Sequence, residues 1–71
     1  QLSINQIIEH YPDLLIKAIN NSISVQNIQQ QLGLQATNNR ARKCIKDFAE
    51  QKVGVNKYSI DRYLERRGIK L

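Results

Sequence analysis

Two groups of side chains in the second half of the chain have the types and spacing to grip a polyanion. Asn39, Arg40, Arg42, Lys43 and Lys46 recur at helical intervals, and Asn56, Lys57, Tyr58, Ser59, Arg62, Arg66, Arg67 and Lys70 follow a glycine at position 54. Arg can pair in two-pronged fashion with guanine, and Asn or Gln with adenine, each pairing giving about 1–3 kcal/mol of discrimination. Asn39, Asn56 and Arg62 are therefore candidates for reading base edges. Ammonium groups and peripheral guanidinium groups more often meet phosphates, which sets register and affinity without reading sequence. Lys43, Lys46, Lys57, Arg66, Arg67 and Lys70 suit that second role, while Tyr58 suits a backbone contact or packing equally well. If about six phosphates were neutralised, affinity would fall roughly a thousandfold between 50 and 200 mM salt.

The charge distribution agrees with a polyanionic partner. Residues 1–39 carry one Lys against two acids, a net −1, whereas residues 40–71 carry ten Lys and Arg against four Asp and Glu, a net +6. Such asymmetry places the partner on the second half. Catalytic alternatives are weak. His10 has no second His or Cys near it to build a zinc site, and Glu9 and Asp13 are explained by helix-end charge preference. The single Cys44 sits among apolar neighbours, as a small core residue would, and permits no intrachain disulfide. No cofactor or metal site is expected, nor a small-molecule substrate, since 71 residues bury only about 60% of the unfolded surface and leave little room for an internal cavity. No apolar run approaches the roughly 18 residues of a membrane span, so no membrane partner is expected and a cytoplasmic location is. The start at Gln1, without Met, suggests one domain over residues 1–71 cut from a longer protein.

The elements that must position these side chains read as helices. One Pro and three Gly interrupt the chain, and no alternating pattern with hairpin turns appears. The expected fold is all-α, a small bundle of four to five helices containing a helix-turn-helix. Ser3 with Gln6 makes a capping box for a first helix that the Tyr11-Pro12 pair ends. Pro12 opens a second helix, with Leu15, Ile16 and Ile19 as its apolar stripe and the run of residues 20–22 as its close. Ser24 caps a third helix through Val25, Ile28 and Leu32, stopped by Gly33 in a left-handed conformation, after which Leu34 returns to the core. A fourth helix over about 38–52 buries Ala41, Cys44, Ile45, Phe48 and Ala49 and leaves Arg40, Arg42, Lys43 and Lys46 mostly outward. Ser59 caps a fifth, with Ile60, Tyr63 and Leu64 inward, Gly68 ending it and Ile69 folding back. Gln29, Gln30 and Gln31 read as a solvated face.

Two glycine corners, QLGL at 31–34 and KVGV at 52–55, each place a Gly between apolar residues after a helix, as the turn of a helix-turn-helix does. The stretch FAEQKVGVNKYSIDRYLERRGIKL resembles the prokaryotic helix-turn-helix of transposases, resolvases, factor-for-inversion-type regulators and phage-associated proteins. The resemblance rests on Ala49, Gly54 with its apolar neighbours, Asn56, Ser59-Ile60, Arg62, Leu64 and Arg67-Gly68-Ile69, about a third of the chain. It implies that Asn56, Lys57, Tyr58 and Ser59 open the second helix and enter the major groove, with Asp61, Arg62, Glu65 and Arg66 continuing the exposed side. One departure stands out: Gly54 lies five positions after Ala49, where the family has four, which shifts the first helix in register. The stretch SVQNIQQQLGLQATNNRARKCI is similar to the amino-terminal helix-turn-helix of some phage HNH nucleases, in which an LGL turn precedes a polar loop and a basic helix. In that frame Asn38, Asn39, Arg40, Arg42, Lys43 and Lys46 face the groove, but Gln29 replaces a small residue and the turn is long.

The Gly54 frame is the preferred one. The function expected is sequence-specific binding of double-stranded DNA, as the targeting or regulatory module of a larger prokaryotic or phage protein in transcription regulation or recombination. Any nuclease or recombinase activity would lie elsewhere in the parent, and a homodimer is left open. The alternative is a helical protein-interaction module with a basic face for an acidic partner. RNA reading ranks third, because stacking aromatics are sparse. Asp61 and Glu65 weigh against a DNA-facing fifth helix unless they pair with neighbouring Arg or accept from cytosine.

Overall fold

A computed structural model describes residues 3–69, and among them the chain forms five helices and no strand: α1 Ile4–His10, α2 Pro12–Asn20, α3 Val25–Gln31, α4 Asn39–Lys52 and α5 Ile60–Ile69. Four of the five starts have a local cause. The Ser3 hydroxyl accepts from the Gln6 amide at 3.3 Å while the Gln6 side chain accepts from the Ser3 amide at 3.0 Å, closing the capping box. Tyr11 ends α1 and begins α2 at once, its amide still bonded to the Ile7 carbonyl and Pro12 taking the first helical position. The Ser24 hydroxyl accepts from Asn27 at 3.0 Å and the Asn38 carboxamide oxygen from Ala41 at 3.1 Å. Such caps contribute about 1 kcal/mol each.

The core draws on every helix. Ile4 and Ile7 of α1, Leu15 and Ile19 of α2, Val25 and Ile28 of α3, and Ala41, Ile45, Phe48 and Ala49 of α4 meet in one cluster, which Val55, Ile60 and Leu64 complete. Helix α2 packs on α1 and α3, and α4 packs on the same pair. Cys44 lies at the edge of this cluster, half-buried, as do Ile16 and Leu34. Ile60 and Leu64, four residues apart and almost fully buried, hold α5 against the rest, each contributing roughly 1.5–3 kcal/mol of apolar transfer.

Polar ties fix α5 as well. The Asp61 carboxylate accepts the Val25 amide at 2.8 Å, supplying the negative charge that the first turn of α3 lacks. At the other end the Arg67 guanidinium donates to the carbonyls of Ile19 and of Ser22, the latter at 3.0 Å, neutralising the C-terminal end of α2.

Four expectations need correction. Tyr63 is 42% exposed rather than inward, because Ile60 and Leu64 already occupy the buried stripe and Tyr63 falls beside it. Gln29 is not solvated: it is completely buried, while Gln30 and Gln31 are exposed. Asn56, Lys57, Tyr58 and Ser59 do not open the last helix, since Ile60 is its first residue; they lie in the 53–59 loop. Helix α5 also continues through Gly68 to Ile69, so Gly68 does not end it. Lys70 and Leu71 lie outside the described residues, as does the packing of the Ile69 side chain.

Candidate nucleic-acid interface

The N-terminal half of α4 carries Asn39, Arg42, Lys43 and Lys46 at spacings of three and four, which puts them on one helix face. Their partner surface is the 53–59 loop, and its shape follows from a chain of short-range bonds. Helix α4 ends where three successive amides, those of Val53, Gly54 and Val55, converge on the Ala49 carbonyl at 2.9, 2.9 and 3.3 Å. That geometry needs a left-handed residue, and Gly54 supplies it at φ +83°. The spacing of five between Ala49 and Gly54 is thus a direct hydrogen bond across the helix end. Beyond it the Asn56 carboxamide oxygen accepts the Tyr58 amide at 2.8 Å, and the Asn56 carbonyl accepts the Ser59 amide at 3.1 Å, a side-chain-stabilised turn.

This turn folds back onto α4. The Glu50 carboxylate accepts the Lys57 amide at 3.4 Å, and Asp47 lies 3.5 Å from the Lys57 ammonium. Lys57 is thereby carried to the basic face of α4, and one open groove is lined by Asn39, Arg42, Lys43, Lys46, Asp47, Lys57 and Tyr58. Four cations face a single carboxylate there, so the groove attracts anions. The Lys57 pKa is raised above its ordinary 10.5 by a charge on Tyr58 first and then by Asp47 and Glu50, so the side chain is fully protonated at neutral pH. Tyr58 is 88% exposed at the groove edge.

Four of the remaining candidates form a second surface. Ser59, Arg62, Tyr63, Arg66 and Arg67 line a shallow depression along α5. Arg62 and Arg66 are exposed and make no ion pair with a described residue. Arg67 is committed to the end of α2, with its guanidinium 5.7 Å from the Tyr63 ring. Arg40 is exposed at the second position of α4 and Glu65 is exposed on α5. Asp61 is turned toward α3 and lies 3.7 Å from Arg42, which links the two surfaces.

The fold therefore regroups the sequence-derived sets: Lys57 and Tyr58 leave the Gly54 frame and join the α4 cations of the Gly33 frame. Sequence reasoning missed Asp47 and Glu50 as the anchors of that move, and it missed Gln29. The buried Gln29 amide nitrogen donates to the carbonyls of Gln35 at 2.9 Å and Asn38 at 3.1 Å, pinning the 32–38 loop just before α4. A small side chain at that position could not reach them. The odd residue of the Gly33 frame is thus what orders its long turn. Among the described residues no three His, Cys, Asp or Glu side chains gather as metal ligands, and no helix is long and apolar enough to cross a membrane. Comparisons of the chain with protein-family models, with curated proteins and with solved structures find no match.

Proposed function

We propose that this chain binds double-stranded DNA by laying the N-terminal half of α4 into the major groove, as the targeting or regulatory module of a larger prokaryotic or phage protein. The observation that carries the reading is the convergence of Arg42, Lys43, Lys46 and Lys57 on one groove whose lining includes one acid, Asp47, while Asp61 and Glu50 pair from its margins. A helix with its side chains is about 10–12 Å across and the major groove about 12 Å wide, so α4 fits without distortion. The N-terminal end of α4 leads, where the helix dipole favours phosphate and where Asn39 and Arg42 can reach base edges. Lys43, Lys46 and Lys57 are assigned to phosphates on the flanking backbone. In this frame α3, the 32–38 loop and α4 make the helix-turn-helix, and α5 lies beside it with Arg62 and Arg66 available to a neighbouring stretch of backbone. The module carries no reaction of its own.

Fluorescence anisotropy against selected duplex sites tests this directly. Neutralising four phosphates corresponds to a roughly 150-fold loss of affinity between 50 and 200 mM salt. Arg42→Ala is expected to weaken specific binding by about 1–3 kcal/mol and to relax base preference, with Arg62→Ala changing salt dependence alone. The reverse pattern moves recognition to α5 and the Gly54 frame. Failure to bind any nucleic acid at low salt favours the alternative of an acidic protein partner.

A further inference from the structure

The groove holds an aromatic side chain that contact with continuous duplex does not explain. Tyr58 is 88% exposed, the most open of the large apolar side chains among the described residues, so it contributes nothing to the core. Its backbone is nonetheless tied down: the Tyr58 amide is held by Asn56 at 2.8 Å, the preceding amide by Glu50 at 3.4 Å and the following one by the Asn56 carbonyl at 3.1 Å. The ring is presented by an ordered turn. The Lys57 ammonium lies 5.4 Å from the ring centroid, a cation–π contact that occupies one side, and at this exposure the ring keeps an open side. Across the groove stand Arg42, Lys43 and Lys46, with the Asn39 carboxamide able to donate and accept.

An aromatic plane recognises another plane. In an intact duplex the bases offer only their edges to the grooves, because their faces are stacked on one another. A base face becomes available at a bulge, mismatch or frayed end, where unstacking costs least. The groove is an open cleft of about 270 Å³, near the lower limit of small-ligand clefts.

We infer that the α4 groove takes one unpaired nucleotide of a DNA strand, its base stacked on Tyr58 and its phosphate between Lys57 and the cations of α4. This rests on the DNA-binding reading and narrows it from any duplex to duplex with a local defect. Asn39, within the same groove, is placed to hydrogen-bond the edge of that base.

The test compares a duplex with the same duplex carrying one extra adenine, both titrated with the full chain by anisotropy. The expected result is roughly 5- to 150-fold tighter binding of the bulged duplex, the range that a single base–aromatic stack produces. Tyr58→Ala should erase that preference, bringing the affinities for the two duplexes within about twofold of each other, with an unchanged helical circular dichroism spectrum, because the ring packs on no core residue. Tyr58→Phe should keep the preference, since stacking does not need the hydroxyl. Equal wild-type affinity for the two duplexes, or loss of the preference in Tyr58→Phe, overturns the inference. If affinity for both still falls when Lys43 and Lys46 become Ala, the DNA-binding reading survives that failure. Absence of binding to either duplex removes both.

Discussion

The turns after α3 and α4 look alike and are built differently. Each has a glycine at positive φ, Gly33 at +75° and Gly54 at +83°, and each is followed by seven residues or fewer of loop before the next helix. After α3 the chain closes with a paired helix cap, Leu34 to the Gln29 carbonyl at 2.8 Å and Gly33 to that of Gln30 at 3.1 Å, and the loop beyond is held from inside by the buried Gln29 amide. After α4 three amides share the Ala49 carbonyl, and the loop beyond is held from outside by Asp47 and Glu50. An internal amide tie is shielded from salt, whereas exposed carboxylate ties are screened by it. The first loop is thus a rigid support for α4. The second depends on carboxylates that added salt screens.

The largest way to break this contrast is at Gln29. Replacing it with Ala removes a buried donor from the carbonyls of Gln35 and Asn38, which keep only the amides of Asn38 and Arg42, and opens a cavity, so urea denaturation should show a loss of about 3 kcal/mol. A loss below about 1 kcal/mol would mean that the 32–38 loop does not depend on this tie. A smaller effect is expected at Gly54. A Cβ built there meets nothing within 4 Å, so Gly54→Ala pays only for the left-handed backbone, about 1–2 kcal/mol by thermal unfolding. A larger cost would point to packing in the 53–59 loop.

The smallest effect concerns pH. The Lys57 pKa is raised above 10.5 on folding, so whatever stability its ion pairs supply is fully present below pH 10.5 and disappears as pH rises through the higher folded value. The difference in melting temperature between the wild type and Lys57→Ala should therefore be flat from pH 6 to about 10 and shrink only beyond it. A difference that shrinks near neutral pH would show that Lys57 is not held by carboxylates.

Much of this architecture could be read along the chain because helix ends obey local rules. Ser3 with Gln6, Pro12, Ser24 and Gly33 each act within a few residues of themselves, and each lies where its type requires. The buried stripes of α3 and α4 follow from apolar spacing in the same way. Gln29 was hidden because its neighbours Gln30 and Gln31 are solvated and because its partners lie across a loop. Tyr63 departs from the expected inward stripe because Ile60 and Leu64, four residues apart, already fill that side.

The candidate site divides along the same line. Side-chain type and net charge alone mark the second half of the chain as the basic half and name its cations. Which cations stand together was decided only in three dimensions, where Asp47 and Glu50 draw Lys57 onto α4, Asp61 caps α3 beside Arg42, and Arg67 is committed to the carbonyls of α2. Caps and stripes are settled by neighbours three or four residues apart. A groove shared by a helix and a distant loop depends on hydrogen bonds between residues seven to forty-eight apart, and no local pattern encodes those.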